Sequence, residues 1–352
     1  MFFKKEIEHK TLFRLALASF CLAIVVVVLG AFTRLVDAGL GCPDWPGCYG
    51  HLLWPNEAAE IIKAEAKFPD APVELDKTWP EMVHRYFAGT LGLFILSIFI
   101  LALKTERKRV REASTALSVP VKLSFVLLCL VIVQAAFGMW TVTLKLWPKV
   151  VTAHLLGGFA TLSLLWLLVQ RLGSTRWLLR EDQLQQLHKL KPLLWFTLIV
   201  VIVQIALGGW VSSNYAALAC PDLPKCLGQW IPPTDFKSGF NVWQEVGPNY
   251  LGGQLDNHAR TAIHLTHRIG AIITTLTLLI VGIKLWQIRA GGIHDWVLML
   301  CGVLLLQLTL GVSNILLALP LSVAVGHNAI GAVLLLTVIS IIYRAHTAQL
   351  SQ

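Results

Sequence analysis

Polar and charged residues are confined to short stretches of this chain, and between them lie long runs that are apolar on every face. A bilayer-spanning helix needs roughly 20 predominantly apolar residues. Eight runs meet that length, near 15–33, 84–103, 123–144, 150–170, 192–212, 264–286, 296–317 and 321–343. Strands of a membrane barrel alternate polar and apolar residues over about 10 positions, and these runs do not alternate. The pattern predicts an all-α integral membrane protein with eight transmembrane helices. The first run is read as a retained span rather than a cleaved signal peptide. It is long for such a leader, and Gly30-Ala31-Phe32-Thr33-Arg34 offers no clear cleavage site.

The connecting segments orient the spans. The N-terminus holds Lys4, Lys5, Lys10 and Arg14, and the segment after the second run holds Lys104, Arg107, Lys108, Arg109, Arg111 and Lys122. Arg171, Arg176, Arg180, Lys189 and Lys191 follow the fourth run, Lys284 and Arg289 the sixth, and Arg344 the eighth. These are 18 of the 29 Lys and Arg, and they sit in the shorter connections. Cytoplasmic loops collect basic residues, so both termini are expected in the cytoplasm. Glu6, Glu8 and the scarcity of Ser near the start are unlike an organellar transit peptide, which favours a bacterial inner membrane.

Composition agrees with the run pattern. The 352 residues are 56% hydrophobic and 14% charged, against about 25% charged in a typical soluble domain, and the mean hydropathy is +0.67. A disordered chain and an ordinary soluble enzyme are excluded. The net charge of +9 reads as orientation, because no basic stripe interleaved with aromatics marks a nucleic-acid surface.

Two long loops face outside, 35–83 and 213–263. Within the first, 56–67 is rich in Ala, Glu and Lys around Ile61 and Ile62. It predicts a short amphipathic helix, lying on the membrane or packed on the protein.

The two halves repeat. Cys42–Cys48 reads CPDWPGC and Cys220–Cys226 reads CPDLPKC; His84-Arg85 recurs as His267-Arg268, and His154 recurs as His327. Four spans return the chain to the same side, so the repeats are parallel, related by a pseudo-twofold axis along the membrane normal. The expected architecture is two duplicated four-helix bundles: an N-terminal half, 1–170, a cytoplasmic linker, 171–191, and a C-terminal half, 192–352. Gly30, Gly138, Gly208 and Gly311 recur in the odd spans, where small residues let helices approach closely. Gln134, Gln204 and Gln307 read as hydrogen bonds across helices, with a ligand contact as the other option.

His84, His154, His267 and His327 each lie near the outer end of an even span. Ionisable groups within spans are costly and point to function. Imidazoles from two helices at one depth suit a six-coordinate haem iron. Zinc is less suited, since no Cys or carboxylate completes a tetrahedral set there. Arg85 and Arg268 are candidates for pairing with haem propionates, or for snorkelling to headgroups. No span carries a second His some four turns away, and the shared shallow depth does not wire one face of the membrane to the other. Glu81 precedes His84 by three residues, whereas His264 holds the equivalent place before His267. Positions i and i+3 share a helix face, so Glu81 is a candidate for proton transfer or charge stabilisation beside the first haem. A solvated Glu at a helix N-terminus is the alternative. Each Cys pair can close a disulfide outside the membrane. Cys220–Cys226 is favoured as a structural clip, while clip and redox relay both stay open for Cys42–Cys48. Cys21, Cys129 and Cys301 are expected in apolar packing.

The chain resembles haem A synthases over almost its whole length. The likeness rests on the eight-span duplication, EMVHR (81–85), Ala153-His154, HLTHR (264–268), GHNAIG (326–331) and both Cys-Pro-Asp loops. The resemblance implies oxidation of a methyl group of haem O to the formyl group of haem A, for terminal oxidase assembly. It implies that His84 and His154 hold the substrate haem O, that His267 and His327 ligate a permanent haem b, and that Glu81 is the catalytic carboxylate. Expected partners are haem O, membrane lipid and an electron-transfer protein. Haem O synthase and a second copy of the chain are candidates, and nucleic acid is not. Two His ligands leave iron no open position for dioxygen, so removal of electrons with attack by water fits better. A haem carrier without chemistry and a b-type electron-transfer protein coupled to the Cys pairs are the rival readings. The Glu81/His264 difference favours an enzyme.

Overall fold

The computed structural model describes residues 2–112, 119–173 and 176–351, with side chains from residue 10. The side chains of Lys4 and Lys5, and positions 174 and 175 of the expected linker, lie outside that description. The described residues form helices α1 (Phe2–Leu35), α2 (Ala58–Lys67), α3 (Leu75–Arg111), α4 (Val121–Thr143) and α5 (Pro148–Gly173). These are followed by α6 (Glu181–Ser213), α7 (Phe236–Gly239), α8 (Asn257–Trp286), α9 (Gly291–Leu316) and α10 (Leu321–Thr347). All but α2 and α7 are long and apolar enough to cross a membrane, so eight candidate spans stand where eight were expected. The described strands are a parallel pair of two residues each, β1 (Leu178–Leu179) and β2 (Gln349–Leu350).

The helices outrun the apolar segments that announce them. α3 begins nine residues before His84 and ends among Lys108, Arg109 and Arg111, and α6 starts at Glu181, inside the expected linker. Extending a formed helix adds a hydrogen bond per residue fixed, so the turns persist past the apolar core. Leu93, Ile132, Ile199 and Leu305 are each at least 60% exposed, an outer surface that only lipid satisfies. Cys21, Cys129 and Cys301, expected in apolar packing, lie on exposed positions of the spanning helices. A thiol behaves as a small hydrophobe and is as content against lipid as inside.

The chain forms two compact units, Met1–Thr143 with Gly157–Thr175, and Leu144–Leu156 with Arg176–Gln352. In the first, α3 packs against α1 and α4, burying Ile95, Ile98 and Leu127. Phe20 and Trp166 meet at 4.8 Å between ring centroids, bringing the end of α5 to α1. In the second, α6, α8, α9 and α10 are neighbours in a closed ring. Buried Thr197, Thr337 and Ser340 return their hydroxyl protons to carbonyls one turn back in their own helices, so these polar groups need no partner across the bundle.

Left-handed backbone recurs in step with the sequence repeat. Asp37 and Tyr215 (φ 54° and 55°), Tyr49 and Leu227 (53° and 55°), Lys145 and Ala318 (49° and 55°), and Leu146 and Leu319 (60° and 63°) are matched pairs. Non-glycine residues rarely adopt this region and do so at a cost of about 1–3 kcal/mol each. Their recurrence in both halves means the loop shapes repeat, not only the letters.

Gly41 backs directly onto the Lys77 and Thr78 backbone of α3, so a Cβ there would overlap the Lys77 carbonyl, whereas Gly89 faces open space. Gly41→Ala is expected to cost about 1–3 kcal/mol through overpacking. A lower thermal midpoint in detergent is the readout, with Gly89→Ala unchanged or higher as the control.

Candidate functional site

Glu81 lies at 5% exposure in the second turn of α3, directly after Pro80. Its carboxylate is held on both oxygens. Oε2 accepts the backbone N–H of Cys42 at 2.9 Å, and Oε1 accepts from the Arg85 guanidinium one turn along α3. Arg85 in turn donates to the carbonyls of Asp44 (2.9 Å), Pro46 (3.3 Å) and Gly47 (2.6 Å). The CPDWPGC loop is therefore tied to α3 at both ends of one ion pair. Within the loop, the Cys42–Cys48 disulfide is closed, and Asp44 accepts the N–H groups of Tyr49 (2.6 Å) and Gly50 (2.7 Å). Cys42, Cys48, Tyr49, Ala64 and Met82 form a buried cluster roofed by Trp54, Phe68 and Val73. Ala64 belongs to α2, so the short amphipathic helix packs on the disulfide loop. Burial, then the Glu74 carboxylate, push the Tyr49 phenol up to about 12. It stays protonated and donates to the Pro72 carbonyl at 2.9 Å.

The second half repeats the frame with different chemistry. The Cys220–Cys226 disulfide is closed, and Asp222 accepts from Leu227 (2.6 Å) and Gly228 (2.9 Å). Arg268 donates to the carbonyls of Cys220 (2.6 Å) and Lys225 (2.9 Å). In Glu81's place, His264 Nδ1 pairs with the Ala216 carbonyl at 2.9 Å. One half presents a carboxylate to an N–H, the other an imidazole to a C=O. The backbone N–H groups of Gly228 and Leu227 hold the Asp222 carboxyl below its ordinary 3.8.

The four histidines are partly buried near the N-terminal ends of α3, α5, α8 and α10. Three of them lie against a helix glycine. A Cβ at Gly30 would stand 2.9 Å from His84 Cε1, one at Gly208 3.2 Å from His267 Cε1, and one at Gly311 3.0 Å from His327 Cε1. His267 and His327 belong to the second unit and lie within electrostatic reach of each other. His84 belongs to the first unit, and His154, on the early turns of α5, to the second. Gln204 Nε2 is 3.1 Å from His267 Nδ1, and Gln307 Nε2 is 3.3 Å from His327 Nε2.

Within the second unit, His267 and His327 fit a haem with two axial imidazoles. His154 Nδ1 and His327 Nδ1 are buried without a protein hydrogen-bond partner, which costs free energy unless something else engages them. Among the described residues no cluster of three or more His, Cys, Asp or Glu is arranged for a metal ion. The glycines against the rings and the glutamines bonded to them were read from sequence as helix packing. The signal that marks them is Gln-x-x-x-Gly, present at 134–138, 204–208 and 307–311. Its two residues lie one turn apart on one helix face.

Fold and site define a multi-span helical membrane protein that sets histidine rings against helix glycines beneath disulfide-closed loops. The comparisons give the family. Residues 13–339 match the COX15-CtaA family, described as cytochrome oxidase assembly protein, and the chain belongs to it. It is 47% identical over 323 residues to the haem A synthase of Shewanella oneidensis, covering 91% of this chain and 92% of that one. It is 30% identical over 341 residues to the haem A synthase of Nitrosospira multiformis, covering 90% and 88%. It is also 30% identical over 345 residues to haem A synthase COX15 of Arabidopsis thaliana, covering 89% and 69%.

Removing Arg85 would leave Glu81 buried without its cation. Breaking such a pair costs about 3–5 kcal/mol. Arg85→Met is thus expected to destabilise more than the double variant Glu81→Gln/Arg85→Met, compared by thermal unfolding in detergent. A depressed carboxyl pKa contributes stability above its unfolded value, and that contribution is lost as pH falls through the folded one. The 220–228 loop should therefore keep its closed form at neutral pH and loosen only below 3.8. Hydrogen exchange at Leu227 and Gly228 reads this, with Asp222→Ala loosened throughout.

Proposed function

We propose that the chain is a haem A synthase, oxidising a methyl group on the haem O ring to the formyl group of haem A for cytochrome oxidase assembly. The observation that carries the reading is the family match across the chain, with 47% identity to a haem A synthase over 91% of its residues. His84 and His154 are assigned to the substrate haem O, and His267 and His327 to a resident haem b. The presence of His267 and His327 in one unit, within electrostatic reach of each other, each with a glycine against it and a glutamine bonded to it, supports the second assignment. Haem b when bound would supply a one-electron carrier. The repeated loop shapes and the closed ring of α6, α8, α9 and α10 support two duplicated four-helix bundles. The basic segments support cytoplasmic termini in a bacterial inner membrane.

The chemistry follows from what the residues can hold. Each hydroxylation of the methyl carbon withdraws an electron pair to an external redox partner, adds the oxygen of a water and releases two protons. Loss of water from the geminal diol leaves the aldehyde. Glu81 is held by Arg85 and the Cys42 N–H. It is placed to take protons from the attacking water or to stabilise positive charge on the substrate. The Cys42–Cys48 pair is joined to Glu81 through Cys42 N–H, so it stands at the reaction side, whereas Cys220–Cys226 clips the other loop. Arg268 is the stronger propionate candidate of the two arginines. Arg85 is committed to Glu81 and three carbonyls, while Arg268 Nε is buried without a protein partner.

The test is to express the chain in membranes supplied with haem O, then extract and separate the haems. Haem A should form, and Glu81→Gln should keep both haems bound while losing about 10²–10⁴-fold in rate, the usual contribution of a positioned acid–base group. Only haem b and haem O in the wild type would mark a carrier. Full formyl production by Glu81→Ala with both haems bound would remove Glu81 from the chemistry.

A further inference from the structure

Gln204 and Gln307 do more than join helices. Gln204 stands four residues before Gly208 on α6. Its Nε2 lies 3.1 Å from His267 Nδ1 and donates to the His267 carbonyl at 3.1 Å. Gln307 stands four residues before Gly311 on α9, its Nε2 3.3 Å from a ring nitrogen of His327. Both carboxamide oxygens are buried without a partner. Each amide also lies against a glycine on the histidine's own helix, and at Gly270 the missing side chain makes its room. A Cβ at Gly270 would overlap the Gln204 carboxamide, and one at Gly331 would sit 3.5 Å from Gln307 Nε2. The ring glycines lie on α6 and α9 and the amide glycines on α8 and α10, so each of the four helices contributes one.

An imidazole that binds a metal through one nitrogen carries a proton on the other, and the acceptor of that proton sets the ring's rotation and its donor strength. A carboxamide offers a neutral acceptor with a donor beside it, and rotation about its terminal bond chooses which faces the ring. We propose that Gln204 and Gln307 are positioning residues for the haem ligands His267 and His327, each amide oxygen accepting the N–H of its ligated imidazole. The glycine one turn along closes one side of the ring, and the amide fixes its rotation. An uncharged acceptor raises ligand basicity without placing a second charge in the bundle, where ionised groups are costly. The inference rests on the haem reading of His267 and His327.

The test uses the full chain, purified in detergent and reconstituted with haem b. Loss of the acceptor weakens the imidazole as a donor to ferric iron. Gln204→Leu and Gln307→Leu should therefore raise the midpoint potential and lower haem affinity about 10–100-fold, the usual effect of losing such a partner. Gln204→Glu and Gln307→Glu, stronger acceptors at the same place, should lower the potential. Gln→Asn, which withdraws the amide by one methylene, should behave as the Leu variants and serves where those do not fold. Opposite signs for Leu or Asn against Glu support the assignment. An unchanged potential, or shifts of one sign in all variants, overturns it. His267→Ala and His327→Ala separate the two readings. If they keep the six-coordinate spectrum, the haem assignment itself falls. If they lose it while the glutamine variants leave the potential unmoved, only the positioning role falls.

Discussion

The structure turns on a glycine held against an imidazole. In lipid, helices gain nothing from hiding apolar surface from one another, so association depends on close packing and on hydrogen bonds between helices. An imidazole in that setting is a liability unless its nitrogens are engaged. Gly30, Gly208 and Gly311 let α1, α6 and α9 come down on the rings of His84, His267 and His327. A side chain at any of these glycines would push the helix off its neighbour and turn the ring. Helix spacing, ring orientation and the depth of the histidines are consequences of one contact made three times.

The disulfide loops answer a second need, that of fixing the N-terminal turns of α3 and α8 where the histidines begin. Each loop is closed by its cystine, braced by an aspartate that accepts two backbone N–H groups, and pinned by the arginine that follows the histidine. Glu81 and His264 occupy the same place in this frame and both bond to the chain segment preceding their helix. The exchange of carboxylate for imidazole therefore reverses the polarity of a structural hydrogen bond as well as changing the chemistry on offer. Both consequences follow from one residue difference.

Much of this was legible in the sequence. Eight long apolar runs admit no reading but helices, and the Cys-Pro-Asp and His-Arg repeats mark the frame before any coordinates. What was not legible depends on direction rather than identity. Gly208 and Gly311 look like any small residue in a membrane helix until the ring opposite them is seen. Gln204 and Gln307 look like helix-joining amides until their partner is known to be a histidine. Helix ends were underestimated because apolar character stops at the membrane surface while the backbone ladder continues, as α3 and α6 do. Which apolar environment the three lone cysteines meet was not legible either, because a span with lipid on its outer face has two and hydropathy does not distinguish them.

The two halves can then be compared by charge. The first carries an internal ion pair at its loop-side end, Glu81 with Arg85, both largely removed from solvent. The second carries no acid at that place, so its arginine keeps a buried Nε without a protein partner and its histidines are bonded by neutral groups. A site that must accept protons needs a base held charged at low cost, which an adjacent guanidinium provides. A site that must only hold a redox group benefits from the opposite, a neutral shell whose hydrogen bonds do not change with each turnover. The sequence repeat gives both halves one frame, and the carboxylate in one and the imidazole in the other are, on the proposed reading, what suit one to reaction and the other to retention.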